Sequence, residues 1–232
     1  MRFPEYTKKI LLQSDDAVAK SHYVKYYDHH NFVFIIYERI MDDADQLENS
    51  SKKILAGLEK EEEITNSAKE ALDALESLKL DLESFYVYIR ALMDDICKII
   101  KFLLRNFGEQ LPESMNRLLF STKFQEYKRI NVEFFEGLKD ELDWLPSFIE
   151  KRDALLHKLH NVTFISDNRG LCFDIGTEKD VRGTEKTTQN IKKFIEENIS
   201  NLKHFEDVFL SHNLSKIYRE EVDVPTVENK TM

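Results

Sequence analysis

Glycine and proline are scarce, with 6 and 4 in 232 residues. Tight corners use glycine and helix breaks use proline, so the shortage excludes a turn-rich β architecture and favours long helices. Cysteine is scarcer still. Cys97 and Cys172 are far apart and fit no metal-ligand spacing, which predicts two unbridged thiols in a reducing compartment. Several catalytic signatures are missing. There is no glycine-rich phosphate loop, no Gly-x-Ser-x-Gly and no His-Glu-x-x-His, so these routes to nucleotide, serine-hydrolase and zinc-protease chemistry are set aside. A di-iron bundle needs Glu-x-x-His, but Tyr27, Ala154, His157 and Asn201 stand three before the candidate histidines. The adjacent His29 and His30 have no carboxylate or cysteine at ligand spacing and read as surface residues. No cofactor and no metal are therefore expected.

Long apolar runs are lacking too. The strongest, Ile96 to Leu104, is interrupted by Lys98 and Lys101 and is too short to span a bilayer. Met1-Arg2-Phe3-Pro4-Glu5-Tyr6 lacks the basic-then-apolar layout of a secretion signal. A soluble cytoplasmic protein with no membrane partner is expected. What is present is a large apolar share, 42%, including 16 Phe and 9 Tyr, enough for a sizeable core. The formal net charge of −10 argues against a broad groove gripping many phosphates. It leaves room for a small cationic site, and Lys151, Arg152, Lys158 and Arg169 supply one, diluted by Glu150 and Asp153.

Periodicity predicts an all-α bundle with one long central helix and a small β-hairpin. Residues 1–30 are read as an N-terminal arm or short helix, 31–215 as one bundle, and 216–232 as a charged tail expected to be disordered. From Asn31, the stripe Val33, Ile36, Ile40, Ala44 and Leu47 is helical, with a break expected at Asn49-Ser50-Ser51. Ser67-Ala68-Lys69-Glu70 reads as a capping box. It opens the most regular stripe of the chain, from Ala68 through Leu78, Phe85, Ile89 and Ile96 to Leu103, in alternating steps of three and four. Gly108 is its expected stop. Pro112 starts a short helix, Ser121 or Thr122 caps another through Leu142, and Pro146 occupies the first turn of the next. The period then falls to two. Val162–Ile165 and Leu171–Ile175 flank an Asp/Asn/Gly loop, which predicts a hairpin. Thr184 is expected to cap the last helix.

The helix opened by Pro146 carries the unusual residues. At about 100° per residue, Ile149, Arg152, Leu156 and Leu159 share one stripe, while Asp153, His157 and His160 share its neighbour. A guanidinium thus falls among apolar residues, beside a carboxylate and two imidazoles. The plain reading is an arginine that lays its stem along a core and pairs its head. Against it stands the run Arg152-Asp153-x-x-x-His157. It resembles the signature of the HEPN superfamily, in which Arg is followed by a polar residue, a short gap and His. The resemblance covers roughly residues 67–210 in layout and 152–157 in motif. The long second helix and the hairpin depart in detail and leave the subfamily open.

The resemblance implies a metal-independent endoribonuclease, of the kind used as toxins or antiphage effectors. Such cleavage needs a base for the 2′-hydroxyl, a cation for the developing phosphorane charge and an acid for the leaving 5′-oxygen. His157 suits acid–base work near neutrality, and Arg152 can hold two phosphoryl oxygens at once. Asp153, one turn before His157, is read as orienting the imidazole or shaping the helix. His160 is read as a second acid or base, and Lys151, Lys158 and Arg169 as RNA-binding. HEPN proteins commonly dimerise so that two motifs share one cleft, so the resemblance implies an RNA substrate, a homodimer, and an antitoxin or regulatory protein as partner. The alternative is a non-catalytic HEPN-like module binding a nucleotide or a protein. A third reading is a helical scaffold whose seam at 75–103 pairs with another chain.

Overall fold

The computed structural model describes residues 3–13, 15–56, 61–104, 111–128, 132–157, 162–167, 170–175 and 188–213, with the backbone alone for a few, among them His157. These form eight α-helices and a small sheet: α1 Phe3–Gln13, α2 Ala17–Ala56, α3 Glu61–Leu103, α4 Met115–Phe120, α5 Phe124–Lys128, α6 Val132–Glu141, α7 Leu145–His157, β1 Val162–Asp167, β2 Gly170–Ile175, β3 Gln189–Asn190 and α8 Ile191–His204. A π-helical turn, Phe205–Leu210, continues α8. The chain is mostly helical, with one three-stranded antiparallel sheet in the order β1-β2-β3. Among the described residues no helix is long and apolar enough to cross a membrane.

Boundaries differ from the sequence reading in instructive ways. The helix expected from Asn31 starts at Ala17, where Asp16 Oδ1 accepts the backbone N–H of Val18 at 2.8 Å and caps it. It runs without a break through Asn49-Ser50-Ser51, because Ser50 is buried at 2% exposure against its neighbours and burial overrides weak helix propensity. Ser67 lies inside α3, which already starts at Glu61, so it opens nothing. The long stripe holds: Leu78, Leu82, Phe85, Ile89, Leu92, Ile96 and Ile99 are all fully buried, each contributing about 1.5–3 kcal/mol relative to an exposed side chain. Helix α3 closes at Leu103, and Gly108 lies outside the described residues, as do Thr184 and the tail expected over residues 216–232. The last helix is capped instead by Asn190, whose Oδ1 accepts the Lys193 N–H at 3.0 Å.

The chain divides into two compact units. One comprises Met1–Tyr27, Met93–Asp143 and Leu202–Met232. Its interior is aromatic: Phe3 meets Tyr26 edge-on, and Phe134 packs against Phe135 and Phe209. Tyr26 donates its hydroxyl to the buried Glu206 carboxylate at 2.9 Å, within the π turn. Gly137 lets Phe209 approach, since a Cβ there would stand 2.7 Å from Phe209 Cε2. Neither cysteine is in a disulfide. Burial pushes the Cys97 thiol up to about 12, so it is an inert donor to the Pro112 carbonyl.

The other unit comprises Asp28–Leu92 and Trp144–Asn201, and so holds the sheet and α7. The hairpin forms as its alternation predicts, with Phe164 opposite Phe173 and Asp167 opposite Gly170. Gly170 has φ 97°, a conformation that L side chains rarely adopt. Next to it, the Leu171 N–H donates to Glu48 Oε1 at 3.0 Å. The third strand was not foreseen. It has two residues, Gln189 and Asn190, facing Phe173 and Cys172.

Candidate functional site on the motif helix

Helix α7 starts at Leu145 with Pro146 in its first turn, where a missing N–H costs nothing. Its buried face is rotated from the expected stripe: Leu145, Phe148, Ala154 and Leu155 are buried, while Ile149 and Leu156 are half-buried. Phe148 anchors the helix in a ring cluster of the same unit. Its centroid lies 4.6 Å from Tyr86, 5.8 Å from Trp144 and 6.5 Å from a parallel Phe194, and Phe194 meets Phe173 at 5.1 Å. Tyr86 is fully buried, and its hydroxyl lacks a hydrogen-bond partner, as does the Trp144 indole nitrogen.

Arg152, expected on the apolar stripe with Ile149 and Leu156, lies with them at the margin of the packed face, half-buried. Its side chain is 25% exposed, and Nη1 donates to Asp153 Oδ1 at 2.7 Å. The adjacent carboxylate thus holds the guanidinium, a contact beyond the expected role of Asp153 in orienting His157 or shaping the helix. Asp153 and His157 are one turn apart on the helix. His157 closes α7, but its side chain lies outside the described residues, as do Lys158, His160 and Arg169.

Lys151 is the surprise of the site. Read from sequence as a surface cation for RNA, it is half-buried, with Nζ 5.1 Å from the centre of the Phe194 ring. It donates to Gln189 Oε1 at 2.6 Å. Burial lowers its pKa, and the charge of Glu150 only partly offsets that. Sequence alone gave no signal for this, because Gln189 and Phe194 reach Lys151 through β3 and α8. The nearest hint was Phe194 itself, a large apolar residue of the last helix.

Helix α7 thus carries a guanidinium held by Asp153 and, next to it in sequence, a desolvated ammonium over the Phe194 ring. Such a pair can attract an anion through charge and hydrogen bonds. Among the described residues no group of three or more His, Cys, Asp or Glu is placed to hold a metal ion. No family model, no curated protein and no solved structure matches the chain.

Proposed function

We propose that the chain is a HEPN-like endoribonuclease that cleaves RNA without a metal ion, at a site built from two copies of α7 in a homodimer. Arg152 stabilises charge on the phosphoryl oxygens, and His157 transfers the proton of the 2′-hydroxyl. His160 is the second acid or base, and Lys151, Lys158 and Arg169 hold the RNA strand. A toxin or antiphage role, under control of an antitoxin or regulatory protein, follows from the same likeness. The observation that supports this reading is the placement of Arg152-Asp153-x-x-x-His157 on a late helix of a mostly helical chain. Arg152 keeps one edge accessible and is held in place by Asp153, which suits a positioned cation better than a mobile surface arginine.

The contact between Arg152 and Asp153 also favours a second reading. A guanidinium already neutralised by its neighbour is a weaker phosphate clamp, so a non-catalytic module that binds a nucleotide or a protein is the alternative. Arg152→Ala and His157→Ala separate the two. Under the first reading each abolishes RNA cleavage while the helical circular-dichroism signal persists. Cleavage by the unaltered chain should survive EDTA and leave 2′,3′-cyclic phosphate ends, and a 2′-deoxy substitution at the cut site should block it. The rate should fall at acidic pH as the imidazole gains its proton. Activity lost to EDTA and restored by Mg²⁺, or no cleavage of any RNA tested, would remove the catalytic reading.

A further inference from the structure

One face of α2 is exposed yet has the spacing of a buried seam. Lys25, Asp28, Phe32, Ile35, Arg39 and Asp42 follow one another in alternating steps of three and four along one continuous helix, so they share a single stripe. All six are exposed, and the two apolar members, Phe32 and Ile35, are 45% and 50% exposed. Lone exposed apolar residues are ordinary. These two sit inside a pattern. The stripe reads cation, anion, apolar, apolar, cation, anion. Turned antiparallel about a two-fold axis between Val33 and Phe34, it matches itself at every layer. Phe32 meets Ile35 of the second copy, Asp28 meets Arg39, Lys25 meets Asp42, and each contact occurs twice. The outer face of α3 shows what happens without such a match. Leu72, Leu80 and Val87 are exposed there too, but setting Leu72 against Val87 in the same way also sets Glu76 against Glu83.

We propose that the chain forms a homodimer through this face of α2, as a short antiparallel two-helix seam. The contact is isologous, the same patch serving both copies, and runs about 25 Å along the helix from Lys25 to Asp42. Two of its residues are held before the copies meet. The Phe32 ring is stacked on Tyr88, with centroids 5.1 Å apart, so it loses little rotamer freedom on docking. Arg39 Nη2 donates to Asp81 Oδ1 at 2.9 Å, and the guanidinium keeps further N–H donors for Asp28 of the second copy. The inference goes beyond the α7 reading and does not rest on it, since none of these residues lies on α7. Its failure is read in oligomeric state, whereas failure of that reading is read in RNA cleavage.

Sedimentation velocity of the purified 232-residue chain, from micromolar to hundreds of micromolar, should show a concentration-dependent dimer. Ile35→Lys sets a cation against Phe32 and should abolish the dimer, with the helical circular-dichroism signal retained because Ile35 is exposed. Asp42→Lys and Lys25→Glu, each alone, make like charges meet at both symmetry-related layers and should weaken the dimer about tenfold. Combined in one chain they should restore it, a rescue that requires these two positions to face each other across an antiparallel pair. Both charge changes lie at exposed positions, so the test holds even where Ile35→Lys fails to fold. A monomer throughout the concentration range would overturn the proposal. So would a dimer that withstands Ile35→Lys, or a combined charge variant that dimerises no more tightly than either single one.

Discussion

Lys151 and Lys192 belong to the same compact unit, and both meet the short stretch from β3 into α8, yet their surroundings oppose each other. Lys192 is 23% exposed and faces the carboxylates of Asp45 and Glu48 on α2. Burial alone would lower its pKa, but the hydrogen bond to Asp45 and the two negative charges outweigh burial and raise it. Lys151 meets an amide and a ring, and burial wins. The difference lies in the partner that each lysine finds. A lysine that joins α2 to α8 meets carboxylates, which favour its charge, whereas Lys151 lies over a ring with only a neutral amide as its hydrogen-bond partner among the described residues. Glu48 extends the structural side, since it also accepts the Leu171 N–H beside Gly170.

The comparison breaks most completely if the floor is removed. Phe148 is 2% exposed and touches Tyr86, Trp144 and Phe194. Phe148→Ala should cost about 3–5 kcal/mol, the usual range for a buried ring, seen as a lower midpoint in urea unfolding. A cost below about 1 kcal/mol would mean that this cluster does not carry the core. Removing the structural lysine comes next. Lys192→Met strands Glu48, whose side chain is 19% exposed, beside the more exposed Asp45. The loss should be about 1–2 kcal/mol, between a surface pair and a buried one. Glu48→Gln combined with Lys192→Met should recover part of it, and no recovery would show that Lys192 acts through packing alone.

How far these features could be read from sequence depends on who supplies the partner. The α3 stripe was legible because Leu78 to Ile99 carries its own period and needs no knowledge of what covers it. The hairpin was legible for the same reason, through alternation on both sides of an Asp/Asn/Gly turn. The two residues of β3 have no pattern of their own and become a strand only by pairing with Phe173 and Cys172. On α7 the sequence offered two apolar stripes. The expected core was the one with Ile149 and Leu156, whereas tertiary packing buries Phe148 and Leu155. That packing also leaves Arg152, expected among the core residues, at the margin. The Lys151 environment was not legible either, because Gln189 lies 38 residues away in sequence.

The smallest effect should come from Lys151 itself, and its dependence on pH is the sharpest part of the comparison. Lys151→Met loses the hydrogen bond to Gln189, worth about 1 kcal/mol, and is relieved of burying an ammonium. At neutral pH these should nearly cancel, leaving a change within about 0.5 kcal/mol. The pH profile should not cancel. The folded-state pKa of Lys151 lies below the ordinary 10.5, so between the two values the unfolded chain holds more protons than the folded one. Stability contributed by Lys151 therefore rises with pH through that window, is complete above 10.5, and is lost as pH falls through the folded value. Lys192 has the opposite sign: its folded pKa lies above 10.5, so its contribution is complete below that value and disappears as pH rises through the folded one. Urea unfolding of both methionine variants, from neutral pH to about pH 10, reads the difference. The gap between unaltered chain and Lys151→Met should move in favour of the unaltered chain as pH rises, while the gap for Lys192→Met stays level over that range. Parallel profiles for the two variants would show that Lys151 is as fully charged in the fold as Lys192, and the contrast between them would be lost.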